Sequence, residues 1–229
     1  MATTGHTVKA FDEDLGELRA LVSEMGGRAE SAITAAVAAL IHRNTDAASR
    51  IVADDKRLDE LEAEVERRVI RLIALRAPMA DDLREVLAAL KISGVIERIG
   101  DYAKNIARRV DGMEFRGKIE PLILVPAMAD IARSMVHDVL DAYAARDKEL
   151  AIEVIRRDDQ VDNFYDSIFR NLVAHMMENP ATISSAANLL FVARNLERIG
   201  DHATNVAEMV HYAATGDYLQ DRLAGQKSA

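Results

Sequence analysis

The pentad Glu97-Arg98-Ile99-Gly100-Asp101 recurs letter for letter as Glu197-Arg198-Ile199-Gly200-Asp201 in a chain of 229 residues. The match runs on through Ala103/Ala203, Asn105/Asn205, Ala107/Ala207 and Val110/Val210, one helical face kept in two copies. An internal repeat of about a hundred residues is the reading that organises the rest of the chain.

At about 100° per residue, Ile92, Ile96, Ile99, Ala103, Ile106 and Val110 form one apolar stripe, and Glu97, Asp101 and Asn105 lie roughly opposite it. Val192, Leu196, Ile199, Ala203, Val206 and Val210 repeat the stripe against Glu197, Asp201 and Asn205. The spacing predicts carboxylates that face outward from a helical core. Like charges at i, i+4 are mildly destabilising, and a glycine inside a helix costs ~1 kcal/mol against alanine. A lone acidic pair of this kind usually coats a solvated face. Here both unfavourable features occur twice, with the same Arg and Ile beside them, and that marks the pentads as functional candidates.

Working outward, Phe11, Leu15, Leu18, Val22, Met25, Ala29, Ala32, Ala36 and Ala39 step by threes and fours, the seam of a first helix over residues 7–42. Asn44, Thr45 and Asp46 offer cap chemistry, and Ile51, Leu58, Leu61, Val65, Leu72 and Leu75 then define a second helix ending near Arg76. Pro78 breaks it, and Asp81 and Asp82 suit the first turn of the third, pentad-bearing helix. Gly112, Gly117, Pro121 and Pro126 mark a linker. The plan then repeats: Ile131, Met135, Val139 and Ala142 in a fourth helix, Ile155, Val161, Phe164, Ile168 and Leu172 in a fifth, and Asn179-Pro180 as N-cap and first residue of a sixth. The expected fold is all-α, six long helices in two tandem antiparallel three-helix bundles. The bundles span residues 1–112 and 127–216, with a linker over 113–126 and a polar tail over 217–229.

Net charge is −9 and the basic pairs Arg67-Arg68, Arg108-Arg109 and Arg156-Arg157 are isolated, so no nucleic-acid partner is expected. There is no cysteine, which removes thiolate metal sites and cysteine nucleophiles. The Met1 end lacks the apolar run of a signal peptide, and no stretch approaches the ~20 apolar residues of a transmembrane helix. A soluble protein, compatible with a reducing cytosol, is expected.

The chemistry therefore rests on carboxylates. Asp55/Asp59 and Asp158/Asp162 repeat the i, i+4 spacing on the second and fifth helices, at the flank of each seam, so that two acidic pairs would converge in each half. Four carboxylates with an amide oxygen nearby suit hard cations, magnesium, manganese, calcium or ferric iron, with zinc less favoured. Arg98 and Arg198 are placed to hold these carboxylates, to bind an anion, or to form ordinary interhelical ion pairs. His202 stands where the first copy has Tyr102, so a histidine ligand is not shared by the halves. One Glu-x-x-His, Glu208 and His211, falls short of the pair that a di-metal oxidase needs, and no nucleophile elbow, phosphate loop or dinucleotide fingerprint is present.

The opening His6-Thr7-Val8-Lys9-Ala10-Phe11-Asp12, the Arg76-x-Pro78 segment, both pentads with their asparagines and the closing Thr215-Gly216 together resemble the PhoU family of phosphate-signalling proteins over essentially the whole chain. The resemblance implies a dimeric, non-enzymatic negative regulator of phosphate uptake and of the phosphate-starvation response. Its implied partners are the ATPase subunit of the phosphate ABC transporter and the phosphate-sensing membrane histidine kinase, which would bring it to the inner membrane. It also implies metal ions, among them iron or zinc, on Glu97/Asp101, Glu197/Asp201, Asp55/Asp59 and Asp158/Asp162; Asn105, Asn205, Arg98 and Arg198 are candidates for support from their place beside these pairs. Whether the two halves bind alike is left open by Tyr102/His202. A metal-dependent enzyme acting on phosphate compounds and a purely structural helical scaffold are the competing classes.

Overall fold

A sequence rich in alanine, leucine and glutamate and poor in aromatics favours helices, and the computed structural model, which describes residues 4–111 and 123–219, contains no strand among them. The first half consists of α1 (Thr4–His42), α2 (Thr45–Asp54), α3 (Lys56–Arg76) and α4 (Asp81–Arg108). The second consists of α5 (Val125–Ala145), α6 (Lys148–Arg156), α7 (Asp158–Glu178) and α8 (Ile183–Thr215). Equivalent caps start α2 and α6: the Asn44 side chain accepts from Ala47 N at 2.9 Å, and that of Asp147 accepts from Glu149 N and Leu150 N. Asp81 and Asp82 occupy the first turn of α4, where the helix dipole favours negative charge.

The structure is all-α, and its two repeated halves pack directly on one another. α1 packs on α4, α4 on α8, α8 on α5 and α5 on α1, so these four long helices form a closed square. The α2/α3 pair covers the α1–α4 edge, and α6/α7 covers the opposite, α5–α8 edge. One continuous core results, in which Leu18, Met25, Ile92, Ile99, Met135 and Leu196 are fully buried. α4 and α8 run antiparallel: Arg84, near the start of α4, lies beside Gly216 at the end of α8, and Arg109, past the end of α4, lies over the Phe191 ring near the start of α8. Near the corner shared by α1, α4 and α5, Glu85 is buried and accepts from Arg19 Nη2 at 2.7 Å. The Arg146 guanidinium of the second half lies against the other Glu85 oxygen as an ion pair without hydrogen-bond alignment.

Several expectations need correction. The second and fifth helices are each interrupted at one residue rather than continuous. The hydrogen-bond ladder breaks at Asp55 and at Arg157 while both residues keep right-handed helical dihedrals, and tight bonds, Leu58 N to Asp55 O and Gln160 N to Arg157 O, replace it. Asn179 is no side-chain cap, and Pro180–Thr182 form a short 3-10 turn before α8 starts at Ile183. Leu75 is 63% exposed because the seam of α3 ends one turn earlier, at Leu72. α5 starts at Val125, so Pro126 lies within its first turn, where a proline costs no hydrogen bond. The remaining linker breakers, Gly112, Gly117 and Pro121, and most of the polar tail lie outside the described residues.

Candidate functional site

The repeated glycine sets up each acidic cluster. A methyl group at Gly100 would overlap Leu58 Cδ1, and one at Gly200 would lie 3.2 Å from Asp158 Oδ1 and 3.3 Å from Val161 Cγ1. Bare backbone at these positions lets the start of α3, or of α7, settle onto α4, or α8, just past the interruption. The first acidic residue of each second pair, Asp55 or Asp158, is thereby drawn over the pentad helix.

The outward-facing placement of the pentad carboxylates is thus only half right. They point away from their own apolar stripe, but the interrupted neighbouring helix closes over them, leaving Glu97, Asp101, Glu197 and Asp201 half-buried with Asp59 and Asp162 at an exposed rim. Burial is the main force on Glu97: it pushes the carboxyl from an ordinary 4.5 up to about 7, aided by the charges of Asp101, Glu62, Asp59 and Asp55. Asp158 is pushed to about 6 by burial and then by Asp162, Asp201 and Asp159. Glu197 and Asp162 are raised for the same reasons, burial first and Asp201 second. The acidic residues of each half thus act on one another through their charges, and Glu62 acts with the first set although periodicity did not single it out.

The cations that pair directly with these carboxylates are not the arginines of the pentad. Lys104, 16% exposed, donates to both Asp55 Oδ2 and Asp101 Oδ1, spanning the gap between the helices. In the second half the equivalent residue is Thr204, whose hydroxyl donates to the Asp201 backbone carbonyl at 2.7 Å. There the cation is Arg194, paired with Glu197 Oε1 at the edge of the cluster and lying 5.7 Å from the Tyr165 ring. Asp158 Oδ1 and Glu197 Oε2 are left buried with no hydrogen-bond partner. Arg98 and Arg198 are exposed; Arg198 lies over the Tyr102 ring at 6.0 Å, and Arg98 bears on His202. Asn105 is half-buried and Asn205 exposed, one turn beyond each pentad. Among the described residues no three side chains of the His, Asp and Glu type are gathered round one point as metal ligands. Nor do Glu208 and His211 act together: His211 is fully buried and Glu208 is exposed.

A duplicated, wholly helical fold carrying one acidic cluster per copy defines a class of two-repeat helical-bundle proteins. Within that class the family model described as PhoU domain matches this chain twice, over residues 22–110 and 125–210, and the chain belongs to the PhoU family. It is 54% identical over 222 residues to the phosphate-specific transport system accessory protein PhoU homolog of Zymomonas mobilis, covering 97% of this chain and 94% of that one. The homolog of Caulobacter vibrioides is 48% identical over 217 residues, 94% of each chain. Among solved structures, PhoU from Pseudomonas aeruginosa superposes with a TM-score of 0.86 at 36% identity, over 90% of this chain and all of that one. The phosphate transport system regulatory protein PhoU from Streptococcus pneumoniae gives 0.86 at 26% identity, over 91% and 99%. Among the described residues no helix is long and apolar enough to cross a membrane.

Proposed function

We propose that this chain is a cytoplasmic negative regulator of phosphate uptake and of the phosphate-starvation response, acting as a metal-binding adaptor between the ATPase subunit of the phosphate ABC transporter and the phosphate-sensing histidine kinase. Membership of the PhoU family and the names of the relatives, accessory and regulatory proteins of phosphate transport, support the regulatory role. The observation that carries the metal reading is the pair of buried, unpartnered oxygens Asp158 Oδ1 and Glu197 Oε2. A buried carboxylate oxygen without a donor carries a desolvation penalty that a cation would offset. An all-oxygen donor set favours magnesium, manganese or ferric iron over zinc. Bound metal would neutralise clustered charge and so change which partner surface the acidic face accepts.

The reading is tested in cells by a reporter for a starvation-induced phosphatase. Deleting the protein is expected to switch the reporter on in rich phosphate. Replacing Glu97, Asp101, Glu197 and Asp201 together by alanine is expected to mimic deletion at equal abundance and unchanged helix content, and full repression by that variant would remove the clusters from the signalling surface. An affinity pull-down from phosphate-replete cells is expected to bring down the ATPase and the kinase. The homodimer rests on the family resemblance, and light scattering is expected to give twice the 25.2 kDa of one chain; a monomer over a wide concentration range overturns it.

A further inference from the structure

The arginines of the two pentads converge on the joint between the halves. Arg98 has Glu97 and Asp101 close by on its own helix, and Arg198 has Glu197 and Asp201. Among the described residues neither arginine is paired with a carboxylate; Asp101 is taken by Lys104 and Glu197 by Arg194. Each guanidinium instead acts across the helix gap: Arg198 of α8 lies over the Tyr102 ring of α4 at 6.0 Å, and Arg98 of α4 bears on the His202 ring of α8. Those two rings touch, so one charge stands on either side of a single ring pair. The register that sets residue 102 against 202 also brings Asn205 level with Arg98 and Asn105 level with Arg198. Burial lowers the proton affinity of His202, both arginines lower it further, and Asp201 is the one acid that bears on the ring. The joint is thus locally positive in a chain of net charge −9. Both arginines are exposed and free to turn to water, yet two like charges are gathered here, an arrangement that an anion between them would relieve.

We propose that Arg98 and Arg198 form one anion site per chain, at the contact of Tyr102 with His202 between α4 and α8, which takes a phosphate-type oxyanion, either free phosphate or the phosphate end of a larger ligand. The proposal goes beyond the regulatory reading above and depends neither on it nor on the metal reading. A guanidinium presents a planar fork of donors that matches two oxygens of one anion. Two forks from opposite sides need an anion with oxygens for both and charge to answer both. A tetrahedral phosphate dianion meets that demand, whereas a carboxylate has two oxygens and a single charge, and chloride offers no paired acceptors. The site takes one arginine from each copy of the repeat, so neither half holds it alone.

The test is calorimetric titration of the full-length protein with inorganic phosphate, and separately with pyrophosphate, in about 0.15 M chloride, where loosely attracted ions are screened. Wild type is expected to bind one anion per chain saturably. Arg98→Gln and Arg198→Gln are each expected to weaken binding by at least about tenfold. Lysine at either position keeps the charge without the fork and is expected to recover only part of the loss. Arg108→Gln, which removes an exposed charge from another flank of α4, is expected to bind as wild type does. Circular dichroism confirms that each variant folds, and the lysine variants serve where a glutamine variant does not. Phosphate bound at least as tightly as pyrophosphate points to the free ion, and pyrophosphate bound more tightly points to a larger phosphate-bearing ligand. No saturable binding of either anion by wild type, undiminished binding by folded Arg98→Gln or Arg198→Gln, or an equal loss in Arg108→Gln overturns the proposal. Each of these results leaves the regulatory reading to its own test, the phosphatase reporter.

Discussion

Tyr102 and His202 occupy the same place in the two copies of the repeat, and in the folded chain they meet each other, edge to face, with ring centroids 5.1 Å apart and planes at 80°. A residue touching its own repeat-mate lies on the approximate two-fold axis that relates the halves. The difference between the two residues is thus a matter of the joint between the halves. An edge-to-face aromatic pair adds ~0.5–1.5 kcal/mol beyond its burial. His202→Ala is expected to lose about that much in chemical denaturation, and His202→Phe to retain most of it; equal loss in both variants would show that the ring contact contributes nothing.

His202 also carries a pH dependence. Burial, and then Arg98, lower its proton affinity below the ordinary value of 6.5, against the pull of the Arg198 carbonyl and Asp201. The folded state therefore prefers the neutral ring. Its contribution to stability is present above that value and lost as pH falls below it.

Glu97 runs the other way. Its folded carboxyl is raised from 4.5 to about 7, so its contribution to stability is complete below 4.5 and is lost as pH rises through about 7. Glu97→Gln is expected to melt with wild type near pH 4.5 and above it by pH 8, with the gap opening between the two. A gap that stays constant across this range would mean that Glu97 titrates normally.

Gly100→Ala and Gly200→Ala are expected to part company. Alanine improves helix propensity by ~1 kcal/mol at both. At Gly100 the new methyl overlaps Leu58 in a packed core, and overpacking of this kind costs typically ~1–3 kcal/mol. At Gly200 the nearest atoms are 3.2 Å away or more and need shift only slightly. Denaturant midpoints should fall for Gly100→Ala and stay close to wild type for Gly200→Ala; the reverse order would mean that α3 is looser on α4 than the structure has it.

Glu85 joins α4 to Arg19 of α1 and Arg146 after α5, across the two halves. Both arginines are partly exposed and are free to turn to water once the carboxylate is gone, so Glu85→Gln is expected to cost about 1–3 kcal/mol rather than the full penalty of a stranded buried charge. In a double-mutant cycle Glu85→Gln with Arg19→Gln should show coupling. Additive losses would reduce the pair to a spectator.

Most of this architecture can be read from the chain itself. The pentad repeat, the apolar seams and Pro78, Pro126 and Pro180 locate helices and joints, because helical periodicity is set by each segment's own burial. The interruptions at Asp55 and Arg157 are not legible: neither contains proline or glycine, and both keep helical dihedrals. They are fixed by the seating of Leu58 and Val161 on bare glycine backbone in another helix. The half-burial of Glu97 escapes a helical-wheel argument for the same reason, since a wheel orders directions around one axis and is blind to what arrives from the next helix. Lys104 stands three residues from Asp101, within reach along the helix, but its bond to Asp55 exists only after two distant segments have met. Gly100 and Gly200 look like faults in a helix, and in the fold each is a point of close approach to a second helix.

The closed square of α1, α4, α8 and α5 carries its two covering helix pairs on opposite edges, and the acidic clusters lie beneath those covers. A rigid partner that reaches one cluster is turned away from the other. On the adaptor role proposed above, two partners on the two edges would be tethered with no flexible linker, and the second would arrive at an effective concentration set by the thickness of three helical layers rather than by its abundance.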